Sequence, residues 1–400
     1  MTNKLYMENP YLREIESIII NKQYKNNQYH ITLDRTIFYP HLSGGQPRDR
    51  GTINNIEVVD VYENGDDIVH VINKDINSKY VKIAIDWNNR FDLMQQHSGQ
   101  HLLSSSFYRL FNAKTIGFRI GEEYAYIDIE KSSLTDGEIS QIEYLSNKII
   151  QSNFMIKSYF VTNAELSKVS LRQSPPNLQY TRIIEIDGID TVACGGTHVN
   201  NTGEIALVKI RKWRHYKGSI RIEFICGNRA IKDYTWKSKY INQISLLLSS
   251  RDKDALKKTK LLFENNQNLE KENKLLRQDL YKYKGELLMN KSRSFNKINY
   301  IVHKFTNTSL KEIKLIAYNL NNQPGLIQIY GNSNLETGQF LLARSKDLNI
   351  NLKYMLQGIS RNMKIKGGGS PQTIQGKVDL KELDLFMDMF YKEIRSHYKA

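Results

Sequence analysis

Residues 95–103 read QQHSGQHLL and carry His97 and His101 four positions apart. On a helix this spacing brings both imidazoles to one face, a turn apart, where a single metal ion can take both. The surrounding FDLMQQHSGQHLLSSSFYRLFN, residues 91–112, predicts one helix, with Phe91, Met94, Leu102, Phe107, Leu110 and Phe111 toward a core. Far downstream, DTVACGGTHVNNTGE repeats the spacing in Cys194 and His198. Gly195 and Gly196 let the backbone turn tightly between them. An HxxxH pair alone is more often two ordinary helix histidines, and CxxxH alone says less. Together, with one of only two cysteines in the chain, they supply the four N/S donors of a tetrahedral zinc site. Mixed imidazole and thiolate without a demanding geometry favours zinc over iron or copper.

HSGQH also excludes a chemistry. A zinc protease of the HExxH kind needs a glutamate after the first histidine as general base, and Ser98 stands there. A metal site without that base suits an easily cleaved substrate such as an activated ester.

Four hundred residues at 40% hydrophobic content predict two or three domains with real cores. No apolar run reaches membrane-spanning length, and the start, MTNKLYMENPYLREIES, lacks the apolar stretch of a signal peptide. Two cysteines make no disulfide framework, so a reducing, cytoplasmic setting is expected. The net charge of +15 is compatible with a polyanionic partner.

The expected fold class is α+β. Residues 1–90 alternate β-branched runs with turns, as a small antiparallel β-barrel does. Residues 91–229 form a second domain. There a helix over 136–147, a strand in MIKSYFVT, a short helix over 163–171 and the strands EIALVKIRKWR and SIRIEFIC accompany the donors. Cys226 alternates with apolar residues and reads as a buried structural thiol. Lys209, Arg211, Lys212, Arg214 and Lys217 lie beside Trp213 and Tyr216. That mixture suits a phosphate backbone with a base to stack on, and equally a solvated strand face. Residues 230–295 are long, charged and free of proline. Ala255, Leu262, Leu269, Leu276 and Tyr283 recur every seventh residue, which predicts an antiparallel helical hairpin or an intermolecular coiled coil, the second of which, with the C-terminal domain, would make a homodimer. Residues 296–400 form an α/β domain. In it Gly367-Gly368-Gly369-Ser370-Pro371 reads as a turn before a helix, able to cradle phosphate.

HxxxH with the distant ACGGTHVNNTGEI, residues 193–205, resembles the editing domain of alanyl-tRNA synthetases and of their free-standing relatives, the alanyl-tRNA editing proteins. The editing domain of threonyl-tRNA synthetase shares the four-donor layout and is the nearest confusable relative. Phe38-Tyr39-Pro40 followed by Gly44-Gly45-Gln46-Pro47 is similar to a loop that lies over the family's active site, and GGGSP with Gln375-Gly376 resembles its DHH-associated C-terminal domain. No synthetase activation motif is present. The resemblance therefore implies zinc-dependent hydrolysis of mischarged seryl-tRNA(Ala), with glycyl-tRNA(Ala) as a second substrate, and no aminoacylation. It implies that Thr36 and Gln46 line the aminoacyl pocket and, with Cys194, serve catalysis. Thr36 would hydrogen-bond a seryl hydroxyl, although an ordinary strand threonine fits the same position. Gly195, Gly196, Thr197, Lys212 and Arg214 would contact the tRNA substrate. Two rivals stand beside this reading: a zinc-stabilised tRNA-binding or dimerisation module without catalysis, and editing of seryl-tRNA(Thr).

Overall fold

The computed structural model describes residues 1–41, 45–173, 179–333, 337–361 and 363–398. Contact density divides the chain into two units, Met1–Leu246 and Leu247–Ala400. The segments 1–90 and 91–229 thus share one unit.

Six strands open it: β1 (Glu14–Lys25), β2 (Gln28–Leu33), β3 (Gly51–Ile53), β4 (Ile56–Asn64), β5 (Asp67–Ile72) and β6 (Tyr80–Ile85). They close into a barrel in the order β1-β2-β5-β4-β3-β6. Asn26-Asn27 and Asn54-Asn55 all take positive φ, the two-residue turn whose twist matches paired strands. Inward-facing Ile31, Leu33, Val61, Ile68 and Ile83 fill the interior.

Helix α1 (Trp87–Phe111) follows at once. It starts before residue 91 because the Asp86 carboxylate caps it, accepting from Asn89 N–H. The wholly buried Arg90 side chain ties its first turn to the barrel. That side chain pairs with Asp49 and donates to the carbonyls of Pro10 (2.7 Å) and Ile37 (2.6 Å). Every residue of α1 from Leu93 to Phe107 is buried. Of the six expected core residues Leu110 is the exception: it is exposed, while Phe111 beside it packs against the core.

Strands β7 (Thr115–Ile120) and β8 (Ala125–Ile129), helix α2 (Asp136–Gln151) and strand β9 (Ile156–Thr162) come next. A capping box between Thr135 and Glu138 starts α2, and its apolar face carries it past residue 147. The short helix expected over 163–171 is one turn, Asn163–Leu166. Strands β10 (Tyr180–Ile186) and β11 (Asp190–Ala193) form a three-stranded sheet with β9, in the order β9-β10-β11. Strands β12 (Val208–Tyr216) and β13 (Ser219–Cys226) complete a four-stranded antiparallel sheet, β12-β13-β8-β7. One face of that sheet packs Ile127, Ile222 and Phe224 against Leu102, Phe107 and Ile142 of the two helices. Cys226 lies wholly within this core. Helix α3 (Gly227–Leu247) ends the unit.

The second unit begins with α4 (Ala255–Asn290), 36 residues long. Of its heptad residues, Leu262, Leu269, Leu276 and Tyr283 are each more than half exposed, while Ala255 is buried at its first turn and Tyr281 and Leu288 carry its last turns into a core. Strands β14 (Arg293–Phe295), β15 (Ile298–Phe305), β16 (Leu326–Asn332), β17 (Thr337–Arg344), β18 (Lys366–Gly369) and β19 (Thr373–Asp379) pair in the order β14-β15-β16-β17-β19-β18. Helix α5 (Leu310–Leu320) covers one face, and α6 (Leu352–Ile359) with α7 (Leu383–His397) the other. The glycine run corrects the expectation of a phosphate-cradling turn before a helix. Lys366–Gly369 is an edge strand hairpinned to β19. A Cβ on Gly376 would lie 2.6 Å from the Lys366 carbonyl oxygen and 2.4 Å from the Phe340 ring. Gly367, Gly369 and Gly376 serve close backbone approach, whereas Gly368 faces open space.

Among the described residues no helix is long and apolar enough to cross a membrane.

Candidate metal centre

The residues predicted as donors converge. His97, His101, Cys194 and His198 each present one ligand atom, and all four atoms lie within 4.8 Å of one another. Cys194 Sγ is 3.4 Å from Nε2 of His97 and 3.4 Å from Nε2 of His198. In a tetrahedron with metal–sulfur and metal–nitrogen bonds of normal length, an S–N edge measures about 3.5 Å. The donor set and its spacing therefore fit a tetrahedral cation. Helix α1 supplies two donors from one face. The turn after β11 supplies the other two.

Each imidazole keeps its second nitrogen outside the cluster. His97 Nδ1–H donates to Gln46 Oε1 at 2.8 Å. His198 Nδ1 lies 3.2 Å from Ser98 Oγ, which also accepts from Val199 N–H. His101 Nδ1 faces Asp190 Oδ2 at 3.8 Å and has no hydrogen-bond partner among the described residues. Asp190 is itself held by the Arg172 guanidinium, at 2.8 and 3.2 Å. Such outer partners fix the tautomer and aim of a ligating ring.

Burial holds His97 down to about 3, with the Arg182 charge adding to the shift. Burial, then the neighbouring imidazoles and arginines, hold His101 and His198 well below the ordinary imidazole range. The rings are neutral, the form that binds metal. Burial raises the Cys194 thiol, and the Arg182 guanidinium opposes that rise. A coordinated cation reverses the shift, because a ligating thiol is deprotonated.

Gln46 is buried, and both ends of its amide are engaged. Besides His97, its Oε1 accepts from Thr197 N–H (3.1 Å), and its Nε2 donates to Thr197 Oγ1 (2.8 Å). The structure thus brings Gln46, Thr197 and the donors together. Of the two glycines, only Gly196 is sterically required: a Cβ there would meet His97 at 2.1 Å, whereas Gly195 faces open space. Thr36 sits inside the barrel. Its Oγ1 is 2.8 Å from Nε2 of the buried His70 and accepts from Phe38 N–H. No hydrogen bond joins Thr36 to the cluster among the described residues. Lys212 and Arg214 lie on β12, exposed. Of the loop Ser43–Pro47, Ser43 and Gly44, with Leu42 before them, lie outside the described residues.

Three residues went unread in the sequence. In the sequence Ser98 stands out only as the residue where a zinc protease has glutamate. Asp190 stands four before Cys194, with no motif to mark it. Arg182 is buried without an ion pair among the described residues and donates to the carbonyls of Cys194 (3.0 Å) and Gly196 (2.7 Å), clamping the donor turn. Only the β10–β11 register brings it there.

Asp190 carries a direct test. Replacing it with asparagine removes the charge facing His101 while keeping the shape. Metal affinity should fall about 10- to 100-fold, read by competition with a chromophoric chelator. Unchanged affinity would make the 3.8 Å approach incidental.

Residues 181–223 match the family described as the threonyl and alanyl tRNA synthetase second additional domain. The whole chain is similar to the alanyl-tRNA editing protein AlaX-L of Pyrococcus horikoshii, 30% identical over 420 aligned positions that cover 100% of each protein. The alanyl-tRNA editing protein Aarsd1 of Mus musculus is 32% identical over 253 positions, 60% of this chain and 61% of that one. Among solved structures, the C-Ala domain of alanyl-tRNA synthetase from Aquifex aeolicus aligns with 26% of this chain and 97% of its own. Its TM-score is 0.24 at 18% identity.

Proposed function

The chain belongs to the alanyl-tRNA editing proteins, and on that premise we propose that it is a zinc-dependent deacylase of mischarged tRNA(Ala), acting on the seryl ester first and the glycyl ester second. The observation that carries the zinc reading is the convergence of three imidazoles and one thiol, with Gln46 and Ser98 at hydrogen-bonding distance from two of the rings and Asp190 facing the third at 3.8 Å. When bound, zinc supplies Lewis acidity toward an ester carbonyl and toward water.

The chain's own residues do the rest. His97, His101, Cys194 and His198 hold the ion. Gln46, Ser98 and Asp190 aim the rings, and Arg182 holds the turn that carries Cys194. An aminoacyl ester is activated enough to need no strong built-in base, and none stands at position 98. The direct hydrogen bonds to Gln46 make it a positioning residue. Thr36 has its hydroxyl engaged by His70, and a seryl hydroxyl would have to share it.

Four protein donors leave no spare position in a tetrahedral shell. That favours a second reading, in which the metal is structural and the protein binds tRNA without cleaving it. One experiment separates them. Deacylation of seryl-, glycyl- and alanyl-tRNA(Ala) is followed beside seryl-tRNA(Thr), with and without a zinc chelator. Turnover of seryl-tRNA(Ala) that the chelator abolishes, with alanyl-tRNA(Ala) spared, is the expected result. No turnover by the zinc-loaded protein establishes the binding module, and a preference for seryl-tRNA(Thr) moves the substrate to the threonine system.

A further inference from the structure

The sheet β12-β13-β8-β7 buries one face and leaves the other open. Register sets the open face in rows. Lys212, Glu223, Tyr126 and Arg119 lie across from one another on the four strands, and Arg214, Arg221 and Asp128 make the next row. The anions of these rows are already engaged. Asp128 holds Arg221 at 2.7 and 2.8 Å, and Glu223 lies 3.5 Å from Arg214. Lys212 and Arg119 are exposed and have no ion pair among the described residues. The Arg221 guanidinium stacks between two rings, 3.8 Å from Tyr126 and 3.7 Å from Tyr216. The face is therefore cationic, aromatic and already rigid.

At the β7 edge the face runs into an open cleft of about 940 Å³. Pro47, Arg50, Asn89, Leu93, Arg119 and Tyr126 are among its walls. Arg50 is exposed with no ion pair among the described residues, and Asn89 keeps a buried Nδ2 without a hydrogen-bond partner there. Arg229 is paired with Asp92, while Glu122 and Glu123, also in its walls, are exposed acids that disfavour a phosphate beside them.

Three chain segments join this cleft to the metal centre. Leu93 stands one helical turn before His97 on the same face of α1. Pro47 follows Gln46. Arg119 follows Phe118, whose ring stacks on His97 at 5.1 Å.

We infer that the open face of this sheet and its cleft bind a ribose-phosphate strand, the unpaired 3′ end of the RNA whose ester the metal centre would cleave. The inference rests on the reading under Proposed function. Lys212, Arg119 and Arg50 meet phosphates, whose neutralisation dominates nucleic-acid affinity. Tyr126 and Tyr216 each give one ring face to Arg221 and offer the other to a base, a recognition that tolerates any sequence.

The test is fluorescence anisotropy of the full chain with a labelled RNA hairpin bearing an unpaired 3′ end, across a salt series. The double variant Lys212→Glu/Arg119→Glu should weaken binding at least about tenfold, lower the salt slope by about two, and raise KM for aminoacyl-tRNA in proportion. The control Lys148→Glu lies on α2, across the buried face of the sheet, and should change binding by less than about twofold. If charge reversal unfolds the protein, Lys212→Gln/Arg119→Gln removes the same two charges and must show the same salt-slope change. A folded variant with parental affinity and slope overturns the inference. So does an acidic peptide that binds this face more tightly than RNA. RNA binding that these variants weaken, without any ester cleavage by the parent, retires the deacylase and leaves the surface. Cleavage with KM untouched by the variants retires the surface and leaves the deacylase.

Discussion

Cys194→Ala is expected to release the metal and to lower deacylation of seryl-tRNA(Ala) by a factor on the order of 10³. Its sulfur is the single thiol of the cluster and stands 3.4 Å from two imidazole nitrogens. Without it, three buried neutral rings face one another around a gap, with no anionic donor to offset a divalent charge. The Arg182 charge would then stand near that gap with no thiolate opposing it, which disfavours a cation further. Metal content per chain, measured beside the rate, separates two outcomes. Loss of both supports a catalytic ion. Loss of metal with the parental rate retained would leave the ion structural and end the zinc mechanism. A variant that keeps a full complement of metal and the parental rate would remove Cys194 from the donor set.

What could be read in advance follows from which interactions are local. His97 and His101 were legible because a helix repeats in about 3.6 residues, so spacing alone places them on one face. Cys194 and His198 were legible because they repeat the four-residue spacing around two glycines, although what Gly196 serves is close approach to His97 rather than a left-handed turn. Arg182 and Asp190 were not, since what brings them to the donors is strand pairing, and register is written in packing rather than in any short motif. The glycines of residues 367–376 misled for a physical reason. A phosphate loop and a close strand pair ask the same thing of the residue, the absence of a Cβ. The heptads of α4 were legible as a period, but a period names no partner, and in this chain the seam is exposed. Gln46 was legible as a site residue but not in its role. Sequence marks that a loop approaches the site, while only coordinates reveal that its amide is fully engaged by His97 and Thr197.

Gly99→Ala, inside the HSGQH motif, is expected to destabilise the first unit severely although it adds only a methyl group. By helix propensity alone alanine should stabilise α1 by about 1 kcal/mol. Packing reverses that sign. The new Cβ would lie 2.2 Å from Cys226 Sγ and 3.2 Å from Cys226 Cβ. Neither partner can yield easily. Gln96 ties the helix to the Cys226 backbone at both ends of its amide, at 2.9 and 3.0 Å, and Gln95 ties it to Asn228 N–H and the Glu204 carbonyl. Overpacking of this kind costs about 3 kcal/mol in a core that cannot shift. It also pushes α1, and with it His97 and His101, away from the turn that carries Cys194 and His198. The expected result is a lower urea midpoint together with weaker metal binding. The compensating pair Gly99→Ala/Cys226→Ala removes the sulfur that the methyl meets and should recover most of both losses. Cys226→Ala alone should leave metal content intact, because that thiol lies wholly in the core and outside the donor set. If the pair recovers nothing, the close approach of α1 to β13 is not what the glycine is for.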